Sequence, residues 1–258
     1  MGFYRVEALI LRAREAREAD QVLTLLTREK GKIAAVARGV RKPQSKLRGG
    51  VQVFSHSDLM LHSGRTLDRV TGAEARRFFN FHGQWEKLAY AVYWADLLER
   101  ALPEAEPQES VFELTLGAFR CLEALSSESR QAGVLSLFFE WRLIILLGYR
   151  PCLEQCAGCG SALDGALRYP VSIARGGTVC PLCAHADQDR EGLRYISAGT
   201  LRVLQRWAAL SMDRLWRLAL TASNRREMRA LLDSFFLYYL EQEIPSRRFL
   251  PLDGDWWD

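Results

Sequence analysis

Gln21-Val22-Leu23-Thr24-Leu25-Leu26-Thr27-Arg28-Glu29-Lys30-Gly31-Lys32-Ile33-Ala34-Ala35-Val36-Ala37 decides how the front of this chain folds. Two short apolar runs flank a turn at Gly31, and the first alternates imperfectly, as a half-buried strand does. Working outward, residues 6–11 form an extended apolar run, and residues 51–54, 58–61 and 67–70 read as further strands, the last after Ser63-Gly64. About five short strands punctuated by glycine predict a compact barrel. A helix across 14–26 competes, because Glu and Arg are frequent there.

From Trp85 the period changes. Leu88, Val92, Ala95, Leu98 and Leu102 mark an amphipathic helix stopped by Pro103. A second helix is predicted over 111–125. A third, over 133–147, is apolar nearly all round and therefore central to a bundle; Gly148 and Pro151 end it. Ser197 is placed as the cap of a helix over 201–210, and Ser223 or Asn224 as the cap of a last one reaching about 242. The expected organisation is α+β, with a barrel domain over 1–80 and a helical domain over 81–258.

Between those helices stand Cys156-Ala157-Gly158-Cys159 and Cys180-Pro181-Leu182-Cys183, separated by twenty residues. Two such hooks match the spacing of a four-thiolate zinc site, which has no open coordination position and so holds structure rather than catalysing. The zinc module is expected at about 152–186. Cys152 and His185 are nearby substitute ligands, and Cys121 reads as a small buried hydrophobe. Arg150, Arg168 and Arg175 can either offset the charge of the thiolates or contact DNA.

The net charge of +4 hides an asymmetry: residues 1–80 carry 16 Lys and Arg against 8 Asp and Glu, the remainder 19 against 23. A basic front part points to an anionic polymer as its partner. Its centre is the stretch 38–50, where Arg38, Arg41, Lys42, Lys46 and Arg48 occur with no acid among them. Glycine and proline make this a loop that can follow a sugar-phosphate backbone. Arg12, Arg14 and Arg17 extend the track if they share a barrel face. Among the front aromatics, Phe54 is the candidate for base stacking.

Six cysteines without a signal-like N-terminus suggest reduced thiols in a cytosolic protein. No apolar run is long enough to span a bilayer. Phosphate-binding glycine motifs, His-Glu-x-x-His and Gly-x-Ser-x-Gly are absent, and the four histidines show no ligand or base spacing. The residues therefore favour a non-enzymatic DNA-binding protein. Alternatives are a zinc-ribbon adaptor for protein assembly and an RNA-binding barrel protein.

The chain also resembles a known family. Ala8-Leu9-Ile10-Leu11, Glu18-Ala19-Asp20, the run 25–32 and the run 37–46 resemble the RecO family of bacterial DNA repair and recombination proteins. So do Leu146-Leu147-Gly148-Tyr149-Arg150-Pro151-Cys152-Leu153, the cysteine hooks, and Ser246-Arg247-Arg248-Phe249-Leu250. The resemblance implies an N-terminal OB-fold, a helical domain and an inserted zinc module with Cys156, Cys159, Cys180 and Cys183 as ligands. It implies a nucleoid-associated mediator that binds single- and double-stranded DNA, anneals complementary strands and helps load RecA on DNA coated by single-strand-binding protein. RecR, that coating protein and, in some lineages, RecF are the implied partners. Matched to the family's OB-fold motifs, Lys30 and Lys32 join the loop cations as DNA-binding residues. Where the family leads one to expect Lys-Ser near the C-terminus, this chain has Ser246-Arg247-Arg248.

Overall fold

A computed structural model of the chain describes residues 2–81, 83–126, 131–163, 165–187 and 192–250. The chain folds into two compact units, one of Met1–Ser127 with Ile244–Leu250 and one containing Glu128–Glu243.

In the first unit, strands β1 (Phe3–Arg17), β2 (Asp20–Thr27), β3 (Gly31–Ala37), β4 (Ser55–His62) and β5 (Asp68–Phe78) close into a barrel ordered β1-β2-β3-β5-β4. Closure depends on β1 being long enough to serve two neighbours. Its first half pairs antiparallel with β4 and its second half with β2. Irregularities between Ile10 and Arg12 and between Glu15 and Arg17 supply the bend. The one parallel pairing, β3 with β5, completes the ring. Val6, Ala8, Ile10, Leu23, Leu25, Ala35, Leu59, Leu61 and Val70 fill the inside. The helix considered across 14–26 is thus two strands and their turn. In Arg12-Ala13-Arg14, Ala13 faces the core and the arginines face out, a period of two that reads as helical only because Arg and Glu are good helix formers.

Residues 51–54, read as a strand, form turns instead. Val51 does enter the barrel core, but Phe54 sits at φ 67° and leaves the strand direction. The connection 38–54 is fastened to the barrel by buried Val40 and Val51 and by hydrogen bonds from Arg41 N to the Ala19 carbonyl and from Gly39 N to Asp20.

Two helices share this unit: α1 (Trp85–Ala101) and α2 (Glu109–Ala124). Phe54, Phe79, Phe81, Trp94 and Phe119 form an aromatic cluster with ring centroids 5.5–6.5 Å apart. Buried Lys87 donates to the carbonyls of Glu123 and Leu125, placing a cation at the C-terminal end of α2.

The second unit holds α3 (Gln131–Leu146), α4 (Pro181–His185), α5 (Ala198–Trp207) and α6 (Ala222–Leu240). It also contains an antiparallel sheet, ordered β7-β6-β8, of β6 (Arg168–Ser172), β7 (Gly177–Thr178) and β8 (Leu193–Ser197). As expected, α3 is buried on nearly every side. Its Glu140 is fully buried and is paired with Arg229 of α6, while Ser136 Oγ donates to the same carboxylate at 2.7 Å. Ser197 caps α5, as its position in the sequence suggests. The cap of α6 is Thr221, not Ser223 or Asn224. Asn224 instead bonds back to Thr221 as the third residue of a capping box.

Candidate nucleic-acid interface and metal centre

The outward residues of the barrel form one continuous cross-strand row. Arg14 pairs with Val22, Val22 with Val36, Val36 with Arg69 and Arg69 with His62. Their sequence neighbours Ala13, Leu23, Ala35, Val70 and Leu61 pack the core, so alternation turns this row outward. Val22 and Val36 floor a groove of about 650 Å³. Its walls are Ala16 and Asp20 around the β1–β2 turn and Ser63, Gly64, Arg65, Thr66 and Leu67 between β4 and β5, with Arg38 and Arg69 also lining it. In five-stranded barrels of this type, this face and these two loops bind oligonucleotides.

The loop between β4 and β5 is held in shape by its own bonds. Gly64 N donates to Asp68 at 3.0 Å, and the Tyr4 hydroxyl donates to the other oxygen of the same carboxylate. A Cβ at Gly64 would lie 1.9 Å from the Leu67 carbonyl oxygen, so any side chain there displaces the loop. Asp20, the one acid on the groove, accepts from Gly39 N at 2.7 Å and thereby fixes the start of the basic connection.

The cations named from the sequence divide into two groups. Arg12 and Arg14 both bind the carboxylate of Glu99 on α1, at 2.9 and 2.7 Å, and Lys32 donates to the Glu99 carbonyl. Lys30 stands over the Tyr4 ring at 3.9 Å, and Arg41 pairs with Glu15 at 3.0 Å. Arg38, Lys42, Lys46 and Arg48 are exposed and make no ion pair with a described residue. Arg38 alone of the nine lines the main groove; Arg41 and Arg48 line a second cavity of about 330 Å³ beside Val40, Val51 and Gln52. The side chain of Arg17 lies outside the described residues. Sequence reasoning passed over Arg65, Arg69 and His62; the visible signal was an arginine at the tip of the Ser63-Gly64-Arg65-Thr66 turn. Phe54 is not a stacking platform, because it is buried against Phe81 and Phe119.

In the second unit the four cysteine sulfurs lie within 4.8 Å of one another, and Cys159 and Cys180 are 3.8 Å apart. A tetrahedral ion with bonds of about 2.3 Å needs sulfurs about 3.8 Å apart, so this group can hold a metal ion. Backbone groups already serve the sulfurs: Cys180 N donates to Cys156 Sγ at 3.2 Å and Cys183 N to Cys180 Sγ at 3.5 Å. Burial pushes the Cys156 thiol up, but the N–H groups of Cys180, Cys159 and Gly158 outweigh it and bring it to about 6. Cys183, hydrogen-bonded to the sulfurs of Cys180, Cys156 and Cys159, is pushed up to about 12. The thiolates of Cys156 and Cys159 are thus favoured and that of Cys183 opposed, a charge conflict that a bound cation would resolve.

Neither Cys152 nor His185 belongs to the cluster. Cys152 instead uses its backbone to join β7, and its thiol donates to the Gln155 carbonyl at 3.4 Å. Cys121 is half-buried rather than fully so. Arg175 stands beside the sulfurs. A Cβ at Gly158 would lie 2.9 Å from Cys183 Sγ and 3.0 Å from Arg175 Nη1, so glycine is required where the hook and the guanidinium meet. Arg175 is held there by Asp187 at 3.3 Å, whereas Arg168 turns to the Tyr195 carbonyl.

Among the described residues no helix is long and apolar enough to cross a membrane. Two family models match the chain: recombination protein O N terminal over residues 1–79 and recombination protein O C terminal over 82–248. The DNA repair protein RecO of Pelotomaculum thermopropionicum is 39% identical over 256 residues, spanning 98% of this chain and 96% of the relative. Those of Desulforudis audaxviator and Symbiobacterium thermophilum are 36% and 33% identical, each spanning 97% of both chains.

Proposed function

The chain belongs to the RecO family of DNA repair proteins, and from that premise we propose that it is a recombination mediator acting on DNA without bond chemistry of its own. Residues 1–80 form the DNA-binding domain. It holds single- and double-stranded DNA, brings complementary strands together and helps load RecA where single-strand-binding protein coats the DNA, in concert with RecR and, in some lineages, RecF.

The supporting observation is the groove on the barrel, where Arg38, Arg65 and Arg69 surround a half-buried Val22–Val36 floor. Cations along such a groove neutralise phosphates and release counterions, so affinity comes without sequence readout. Two strands that repel each other in solution can then approach over one neutralising surface. The connection carrying Lys42, Lys46 and Arg48 widens that surface. Arg12 and Arg14 contribute when phosphate replaces Glu99 as their partner.

The four cysteines are proposed to bind one structural zinc ion, which when bound supplies a cross-link with no open coordination position. This chain's residues prepare that link: the two hooks bring the sulfurs together, and Arg175 offsets part of their negative charge. The test of the mediator reading is annealing of complementary strands coated by single-strand-binding protein, with and without RecR. Acceleration over the protein-free rate is expected. No acceleration in either condition contradicts the reading.

A further inference from the structure

The cross-strand row that crosses the groove continues past its wall. His62, which lines the groove, pairs across β1 and β4 with Phe3. The two rings meet edge to face with centroids 4.8 Å apart. Phe3 nevertheless leaves 68% of its surface exposed, more than any other phenylalanine among the described residues. The next row on the same face is Arg5, Met60 and Gly72. Gly72 has no side chain to cover Met60, which is 40% exposed.

We propose that Phe3, supported edge-on by His62, is a stacking platform for a base of single-stranded DNA as the strand leaves the groove over the β4–β5 loop. The inference rests on the reading of that groove as the DNA site and extends it to a different face, the outer side of β1 and β4. Three features favour a nucleic-acid base over an apolar protein side chain. The platform is continuous with the groove through His62, which belongs to both. Arginines lie on the neighbouring positions: Arg69 beside His62, Arg65 in the loop, and Arg5 two residues along β1, which pairs with Asp58 at 2.9 Å and would exchange that partner for phosphate. The exposed ring is also single and flat-faced, suited to one base, because its strand neighbours Gly2 and Tyr4 offer no second exposed ring. Duplex DNA, whose bases are already stacked, gains nothing from such a platform.

The test measures binding of the full chain to an oligothymidine, to an abasic strand of equal length, and to a duplex. Phe3→Ala is expected to weaken binding to the oligothymidine about tenfold, with the abasic strand and the duplex unaffected and the salt dependence unchanged. Phe3→Trp is expected to restore binding. Because Phe3 is exposed, an unchanged melting temperature confirms that the variant is folded. Equal oligothymidine affinity for native and Phe3→Ala protein overturns the platform, as does an equal loss on all three probes. Loss of a protein partner with DNA binding intact overturns it in favour of protein docking. If the native chain binds none of the probes, the proposed function fails first and the platform with it.

Discussion

Ser246 lies 150 residues along the chain from Asp96, yet both its N–H and its hydroxyl donate to Asp96 Oδ2, at 3.2 and 2.7 Å. No reading of Ser246-Arg247-Arg248 by itself reveals this, because the partner lies on α1. The run looks like a basic contact segment, but its serine is buried, Arg247 is half-buried and only Arg248 is exposed, over the Phe249 ring. Ser246→Ala should cost about 1–2 kcal/mol, measured by chemical unfolding. Burial pushes the Asp96 carboxyl up, but the bonds from Ser246 and Arg100 outweigh it and hold it below the usual carboxylate range. A carboxyl depressed in the folded state stabilises above its unfolded pKa, and that stability is lost as pH falls through the folded value. Asp96→Asn should therefore lower the melting temperature near neutrality and remove part of its fall below about pH 4. Parallel curves for native and variant protein would contradict the assignment.

Among the elements, legibility followed how local the cause was. The hairpin around Gly31 was readable because β2 and β3 are neighbours, and Gly31 must be glycine: at φ 64° a Cβ there would lie 1.8 Å from the Glu106 carbonyl oxygen. The cysteine hooks were readable because each places two sulfurs within one turn. The sheet β7-β6-β8 was not. β7 is two residues long, and its place is set by backbone bonds to Cys152, 25 residues before Gly177. These bonds tie the sheet to the cysteine cluster, since Thr178 also donates to Gln155, next to Cys156. Cys156→Ser should abolish stoichiometric zinc binding and lower the stability of the second unit, with DNA affinity falling far less. Zinc content, thermal unfolding and DNA titration measure the three effects. A well-folded variant that loses only DNA affinity would make the cysteine cluster a DNA contact.

At the level of the whole molecule, the excess of basic residues in 1–80 was plain in composition, but its arrangement was not. Pairing with Glu99, Glu15 and the Tyr4 ring engages several cations that look available in the sequence. Arg65 and Arg69, which looked incidental, line the groove, Arg69 because strand pairing sets it beside Val36 and His62 and Arg65 from the loop between β4 and β5. The central claim is that this groove neutralises phosphates, and the salt dependence of binding tests it most directly. The slope of log affinity for single-stranded DNA against log salt concentration is compared between the native chain and a variant with Arg38→Ala, Arg65→Ala and Arg69→Ala. Each lost phosphate contact lowers the slope by about 0.7, so the three together should flatten it by about 2 while the melting temperature holds. An unchanged slope in a folded variant would place the DNA elsewhere on the molecule.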